Sequence, residues 1–552
     1  MRRRARFAAP LFLAALLGAA TPPPATIDYV VTPVVESAGL EALEISISLT
    51  GDADGATAIA LPDRWAGSTG LHGAISDLSV TGGTIAPGSG PAQRIVNHAP
   101  GAPLVLRYRL ASSDAADPGP GYEKARPVLR PDWFYVHGEG GLIAPEGRGA
   151  APARFRWGTL PPGWQTAGTA DTPDAGRSVD NVVNSILFGG TDLRVLDRQV
   201  AGRPVRLALR GSWSFEDAAL ADAVAWIVAA ENEYLGGAAV PYLVTLAPLG
   251  GGETGAISTG GTGRTGGFAL ASTTNVRLDQ FLFTLAHEYG HRWFGHGFGP
   301  TATPEGSEYW FTEGFGDFTA GRVLVRAGLW GEEGYARHLN RVLLRYRSST
   351  ALALPNPVLA ERFWEDQDAM QMHYDRGHLF ALMLDRHGAV TPALRRLAAG
   401  TGFPAAESQS SRFRRAFGEP SGLEAMLAGA PLVLPDDLLA PCGRFEWAEQ
   451  SAYATGYASE DRADGRYFTR VDEGGPAWTA GLRPGMRYVR RVSFEPGDAT
   501  VPIVMRVADA AGERELRWLP AGRQRVRFQR LRLRDLSDGA ARRACRARIV
   551  GP

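Results

Sequence analysis

The chain has 552 residues, with 58 basic and 58 acidic side chains and so no net charge. That length admits several domains, and the charge balance excludes a net bias toward nucleic acid. The basic residues are nearly all arginine, Lys124 being the one lysine, and 68 Gly with 38 Pro fit a β-rich chain with many turns.

The first elements concern targeting. Residues 1–6 are basic, residues 7–17 are apolar, and 18–20 are small. This is the layout of a signal peptide over 1–20, and its apolar run is too short for a membrane span. No later run is long enough to cross a bilayer, so the mature protein is expected to be exported, periplasmic or secreted, with no transmembrane segment after cleavage.

Residues 21–205 read as β structure. The stretch 43–49 alternates strictly between apolar and polar residues, which gives one buried and one wet face. Residues 104–110 and 205–209 are further strands, and a β-sandwich is the expected form. From about 211 the pattern turns helical. In 217–234, Leu220, Val224, Ile227 and Val228 share a face, before 243–246 returns to strand. The glycine-rich stretch 250–267 is not a phosphate loop, since no Gly-Lys-Ser/Thr follows.

Next come the residues with metal chemistry. His287-Glu288-Tyr289-Gly290-His291 spells His-Glu-x-x-His, and Leu278, Phe281, Leu282, Leu285 and Tyr289 place it on an amphipathic helix. Residues four apart share a helix face, so His287 and His291 can address one zinc ion, with Glu288 beside them as general base. Catalytic zinc takes three protein ligands and keeps one position open. Glu313, in Trp310-Phe-Thr-Glu-Gly-Phe-Gly-Asp317, is the candidate third ligand. The metzincin pattern fails, because Phe294 and Gly297 stand where it needs Gly and His. His296 is out of register for a ligand. Asp317, one turn beyond Glu313, is placed to take the second ring N–H of a metal-bound histidine. The bland alternative is a helix with two incidental histidines and a solvated aspartate.

These motifs resemble the gluzincin peptidases, and within them the glycyl aminopeptidase family, whose spacing between second histidine and glutamate suits the 21 residues between His291 and Glu313. The resemblance implies a thermolysin-like catalytic domain, a small sheet plus a helical lobe, over 206–440. It also implies a catalytic tyrosine. Tyr374-Asp-Arg-Gly377 is similar to the family's Tyr-x-Lys-Gly stretch, which assigns Tyr374 to the oxyanion; the alternative is a tyrosine that only packs. The family's Gly-Gly-x-Glu-His segment corresponds to Gly250-Gly-Gly-Glu253-Thr254, with the histidine absent. Glu253 is then either the carboxylate that pairs with a substrate amine or an exposed loop residue.

The span 441–552 resembles a degenerate PDZ domain at Val471-Asp-Glu-Gly-Gly-Pro-Ala, continuing to Gly485-Met486. Such domains bind extended peptides by strand addition; the alternative is a vestigial domain that only packs. Cys442 and Cys545, the only two cysteines, bracket this span. In an exported protein they are expected to form a disulfide, against the alternative of two buried free thiols.

The whole reads as a multidomain α+β chain. It is expected to be an exported one-zinc metallopeptidase acting on peptides or proteins, an aminopeptidase by resemblance. The alternatives are a zinc endopeptidase and a non-catalytic peptide binder using the PDZ-like domain. Oligomeric state is not legible.

Overall fold

The computed structural model describes residues 26–552 except 113–116, 120, 122–123, 172–176, 256, 296, 303, 463 and 496. The signal-peptide reading of 1–20 and His296 lie outside the described residues.

Two antiparallel-rich sheets open the fold. In the first, the strands run Ala153–Trp157, Ile27–Glu36, Gly39–Thr50, Pro103–Leu110, Ile75–Thr81 from edge to edge. The second is built around Ala56–Ala60 and Gln93–His98. The predicted alternation is visible in Ile45, Ile47 and Leu49, which are buried in one core with Ile59 and Val96 of the second sheet.

A third sheet links this region to the rest. Its strand Trp133–His137 is buried along its whole length because its two faces serve different cores. Phe134 and Val136 face the N-terminal core, whereas Trp133 and Tyr135 pack with Ala247, Ala269 and Ala271 of the central sheet. Strands buried on both faces read as continuous apolar runs rather than alternating ones.

The central sheet has the order Arg194–Val200, Arg203–Leu209, Tyr242–Leu249, Gly267–Thr273, Thr259–Arg264. The expected boundary at 205 therefore falls inside a strand. Arg203–Leu209 pairs parallel with Tyr242–Leu249, so it and its hairpin partner belong with the catalytic half. One face of this sheet meets the linking sheet. The other, carrying Leu207, Val244, Leu246, Phe268 and Leu270, packs on the helical lobe.

The span 441–552 is not one compact unit. Strands Gly443–Tyr453 and Ala521–Leu533 form a long antiparallel ribbon. Phe445, Val526, Phe528 and Leu531 of that ribbon join the core of the helical lobe, as does Ile549 of the last helix, Gly539–Val550. Only the part between the ribbon strands has its own core, formed by Phe468, Leu482, Met505, Val507 and Trp518 on a five-stranded antiparallel sheet. Cys442 and Cys545 are bonded, with Cα atoms 4.4 Å apart, and both are buried in the core of the helical lobe.

Among the described residues no helix is long and apolar enough to cross a membrane.

Candidate active site

Helix Leu278–Gly290 carries His287 and Glu288, with His291 at its C-cap. Its buried side holds Phe281, Leu282, Leu285 and Tyr289, the apolar face read from the spacing. Arg292 anchors the end of this helix, its guanidinium donating to Oδ1 of Asn232 at 2.7 Å on helix Asp217–Leu235. Helix Tyr309–Arg326 carries Glu313 and Asp317 and packs against the first.

The three candidate ligands converge. Nitrogens of His287 and His291 and an oxygen of Glu313 all lie within 4.8 Å of one another. Oε2 of Glu313 is 3.2 Å from Nε2 of His287 and 3.6 Å from Nε2 of His291. Two imidazole nitrogens and one carboxylate oxygen form the donor set of a catalytic zinc site, so the residues fit the metal. Nδ1 of His287 lies 2.8 Å from Oδ1 of buried Asp317, which leaves Nε2 aimed at the shared centre.

The electrostatics follow from that geometry. Burial pushes the Glu313 carboxyl up, but His291, His287 and Tyr374 outweigh it and hold the group at about 2. Burial pushes His287 down, and Asp317 with Glu313 more than compensates, so its pKa sits well above the usual imidazole value.

Tyr374 comes from a third helix, Gln367–Leu384. Its ring lies 5.9 Å from that of His287, and its hydroxyl interacts with Glu313. Burial first, and then the negative charge of Glu313, Asp317 and Glu288, raise its pKa, so the hydroxyl stays a donor. Two glycines make this approach possible. A Cβ on Gly314 would lie 2.4 Å from Cα of Gly377, and one on Gly377 would lie 1.8 Å from the Trp310 carbonyl. Only at that separation does the third helix bring Tyr374 to the ligands.

Glu288 faces the edge strand of the central sheet, where a Cβ on Gly263 would stand 4.0 Å from its Oε2. Glu253 comes ahead of that strand in the chain. It lies on the turn Gly252–Thr254, whose Thr254 carbonyl accepts from the Tyr488 hydroxyl of the C-terminal small sheet at 3.1 Å. Among the described residues no hydrogen bond or ion pair joins Glu253 to Glu288 or the three ligands. The strand that does face Glu288, Thr259–Arg264, contains no carboxylate.

Two residues near the centre escaped the sequence reading. Glu231 is fully buried beneath the zinc helix, where a Cβ on Gly290 would come within 2.8 Å of its Oε1. Burial drives its pKa well above the carboxylate range. Nothing in the apolar pattern around it marks it. Lys124 reaches the edge strand from the N-terminal half, donating to the Gly261 carbonyl at 3.3 Å. Its being the one lysine was the available signal.

Residues 280–358, which contain all three candidate ligands, match the M61 glycyl aminopeptidase family. No curated protein matches the chain. Among solved structures, an aminopeptidase N family protein from Idiomarina loihiensis aligns with a TM-score of 0.66 at 16% identity, over 95% of this chain and 100% of that one. That likeness shows a shared fold. An M1 zinc metallopeptidase from Deinococcus radiodurans aligns at 17% identity over 74% of this chain and 95% of its own, with a TM-score of 0.46.

Proposed function

We propose that the chain is a zinc metallopeptidase of the glycyl aminopeptidase type, a reading supported by the match over residues 280–358, and that it hydrolyses peptide bonds at the His287, His291 and Glu313 centre, with Glu288 as general base and Tyr374 as oxyanion donor. The observation that carries this reading is the convergence of His287, His291 and Glu313 from two helices, with Tyr374 of a third beside His287. A single zinc ion held by the three ligands supplies Lewis acidity toward the attacking water and the scissile carbonyl.

The protein side chains do the rest. Asp317 fixes the His287 ring and its tautomer. Glu288 takes the proton of the attacking water and returns it to the leaving amine. Tyr374, held protonated by its surroundings, donates to the oxygen on which charge develops. Export through an N-terminal signal peptide is part of the proposal, supported by the basic and apolar runs of residues 1–20.

The aminopeptidase reading is supported by the family match. Endopeptidase action is the second reading, and one observation favours it: the strand facing Glu288 has no carboxylate to hold a substrate ammonium. A screen of matched free and N-acetylated peptides, with and without chelator, tests both. Chelator-sensitive trimming of free peptides alone is the expected result. Internal cleavage of blocked peptides at the same rate would select the second reading, and activity indifferent to chelator would refute zinc hydrolysis.

A further inference from the structure

The central sheet ends at strand Thr259–Arg264, whose outer edge no strand covers among the described residues. The Thr273 N–H donates to the Ser258 carbonyl at 2.9 Å, which makes 258 and 273 a hydrogen-bonded pair. Antiparallel pairs alternate between bonded and non-bonded. Following the register, 260, 262 and 264 bond inward, while Thr259, Gly261 and Gly263 turn their N–H and C=O groups out to the free edge. Gly263 is the residue beside Glu288. A peptide laid along this edge would pair there, as extended ligands do on open sheet edges.

Two residues back, the edge is no longer free. The Gly261 carbonyl already accepts from Lys124. The same ammonium lines a cavity of about 320 Å³, together with Tyr135, His137, Leu249, Thr262 and Ala271. The floor is Gly and Ala from two strands, so the space is not filled from below.

The charges here do not cancel. Among the described residues no carboxylate pairs with Lys124. Burial first and then Arg264 depress its pKa, the charge of Glu288 acting the other way and least, and Arg264 already has Glu139 at 3.2 Å. An ammonium has three donors, and one of these goes to a neutral carbonyl. A half-buried cation in that condition gains most from an anion, since charge-assisted bonds are about twice as strong as neutral ones. It also differs from every arginine in the chain by being a compact point charge that suits a small pocket.

We propose that this cavity is a binding pocket for a substrate carboxylate and that Lys124 is its specificity-determining residue, a proposal that rests on the peptidase reading. Gly261 and Gly263 are about 7 Å apart along the strand, so the carboxylate belongs to a group within one or two residues of the bond under attack. It is either an acidic side chain or the C-terminal carboxylate of a short peptide.

Four matched peptides distinguish these sources: Glu against Gln at the variable position, and free against amidated at the C-terminus. The zinc-loaded full chain should prefer the carboxylate form of one pair by about tenfold or more in kcat/KM, and that pair names the source. Lys124→Met should bring the ratio close to one, Lys124→Arg should retain it in part, and Lys124→Glu should reverse it in favour of the uncharged member of the pair. A calorimetric arm uses the same peptides on Glu288→Gln protein, with and without Lys124→Met, and does not depend on turnover. Carboxylate preference that depends on Lys124 in this arm, without turnover in the other, keeps the pocket and overturns the peptidase reading. No preference in the unsubstituted chain, or the same ratio in Lys124→Met, overturns the pocket.

Discussion

Glu288 and Tyr374 serve the same centre by different means, and their substitutions should separate. Glu288→Gln removes a base that is not among the three converging ligands. It should lower kcat by about 10²–10⁴ with zinc content unchanged by metal analysis; undiminished turnover would refute the assignment. Tyr374→Phe keeps the ring beside His287 and removes only the donor. It should lower kcat by about 10²–10³, on the order of 3 kcal/mol, with little change in KM, because the bond strengthens in the transition state. Equal kcat in the Phe variant returns Tyr374 to packing. Legibility at this scale follows sequence distance. His287, Glu288 and His291 lie within one helical turn or so, and the helix period alone places them together. Lys124 meets Gly261 across 137 residues, and no local pattern carries that contact. The close crossing at Gly314 and Gly377 was hidden for the same reason.

At the scale of elements, the disulfide that the sequence reading put at the two ends of a C-terminal domain lies in the core of the helical lobe. Cys442 immediately precedes the ribbon, Cys545 lies in the last helix, and both sit in the core of the helical lobe. The last helix is held there by Arg548 as well, which donates to Asp385 at 2.8 Å. The bond closes a separation of 103 residues, and the chain-entropy treatment gives about 4.7 kcal/mol as an upper estimate for such a loop. Reduction should therefore destabilise the helical lobe itself. Hydrogen exchange should show lost protection in Gly539–Val550 and around Cys442; loss confined to residues 454–520 would contradict this. Strand identity was largely legible wherever one face is wet, as in Gly39–Thr50. Sheet membership was not, because Arg194–Val200 and Arg203–Leu209 look alike whichever sheet they join, and the expected boundary at 205 falls inside the second of them.

For the whole molecule, buried histidines set the response to acid. Burial holds His373 and His378 down at about 4, and His137 and His338 well below the usual value. A histidine depressed in the folded state stabilises above its unfolded pKa, and that stability is lost as pH falls from about 6.5 toward 4. Glu313, held at about 2, works in the same direction lower down, losing its contribution below about 4.5. His287 runs the other way in metal-free protein: its raised pKa stabilises below about 6.5 and loses effect as pH rises. Between about 6.5 and 4.5 it therefore adds little slope. Glu231, raised by burial, opposes the histidines in this window, so guanidinium melts of chelated Glu231→Gln protein should show a midpoint that falls across it, with each of His373 and His378 worth on the order of 3 kcal/mol at full effect. A flat midpoint would refute the buried neutral state of these rings.

The ribbon has a further consequence. Tyr453 and Ala521 are register partners at its far end, so the chain leaves the catalytic half and re-enters it at adjacent points. Topologically, the small sheet of residues 454–520 is a passenger on a hairpin whose stem is already anchored. A short turn joining 453 to 521 would restore an ordinary hairpin without rerouting the chain. Such an excised protein should keep its zinc and its turnover of small peptides, measured against the full chain. The contacts it forfeits include Tyr488 to Thr254 and Arg491 beside Gly255, on the loop that leads into the edge strand, and Glu495, which accepts from Arg341 on helix Glu332–Ser348. The small sheet is thus positioned as an exchangeable attachment, free to be altered or replaced while the catalytic half stays as it is.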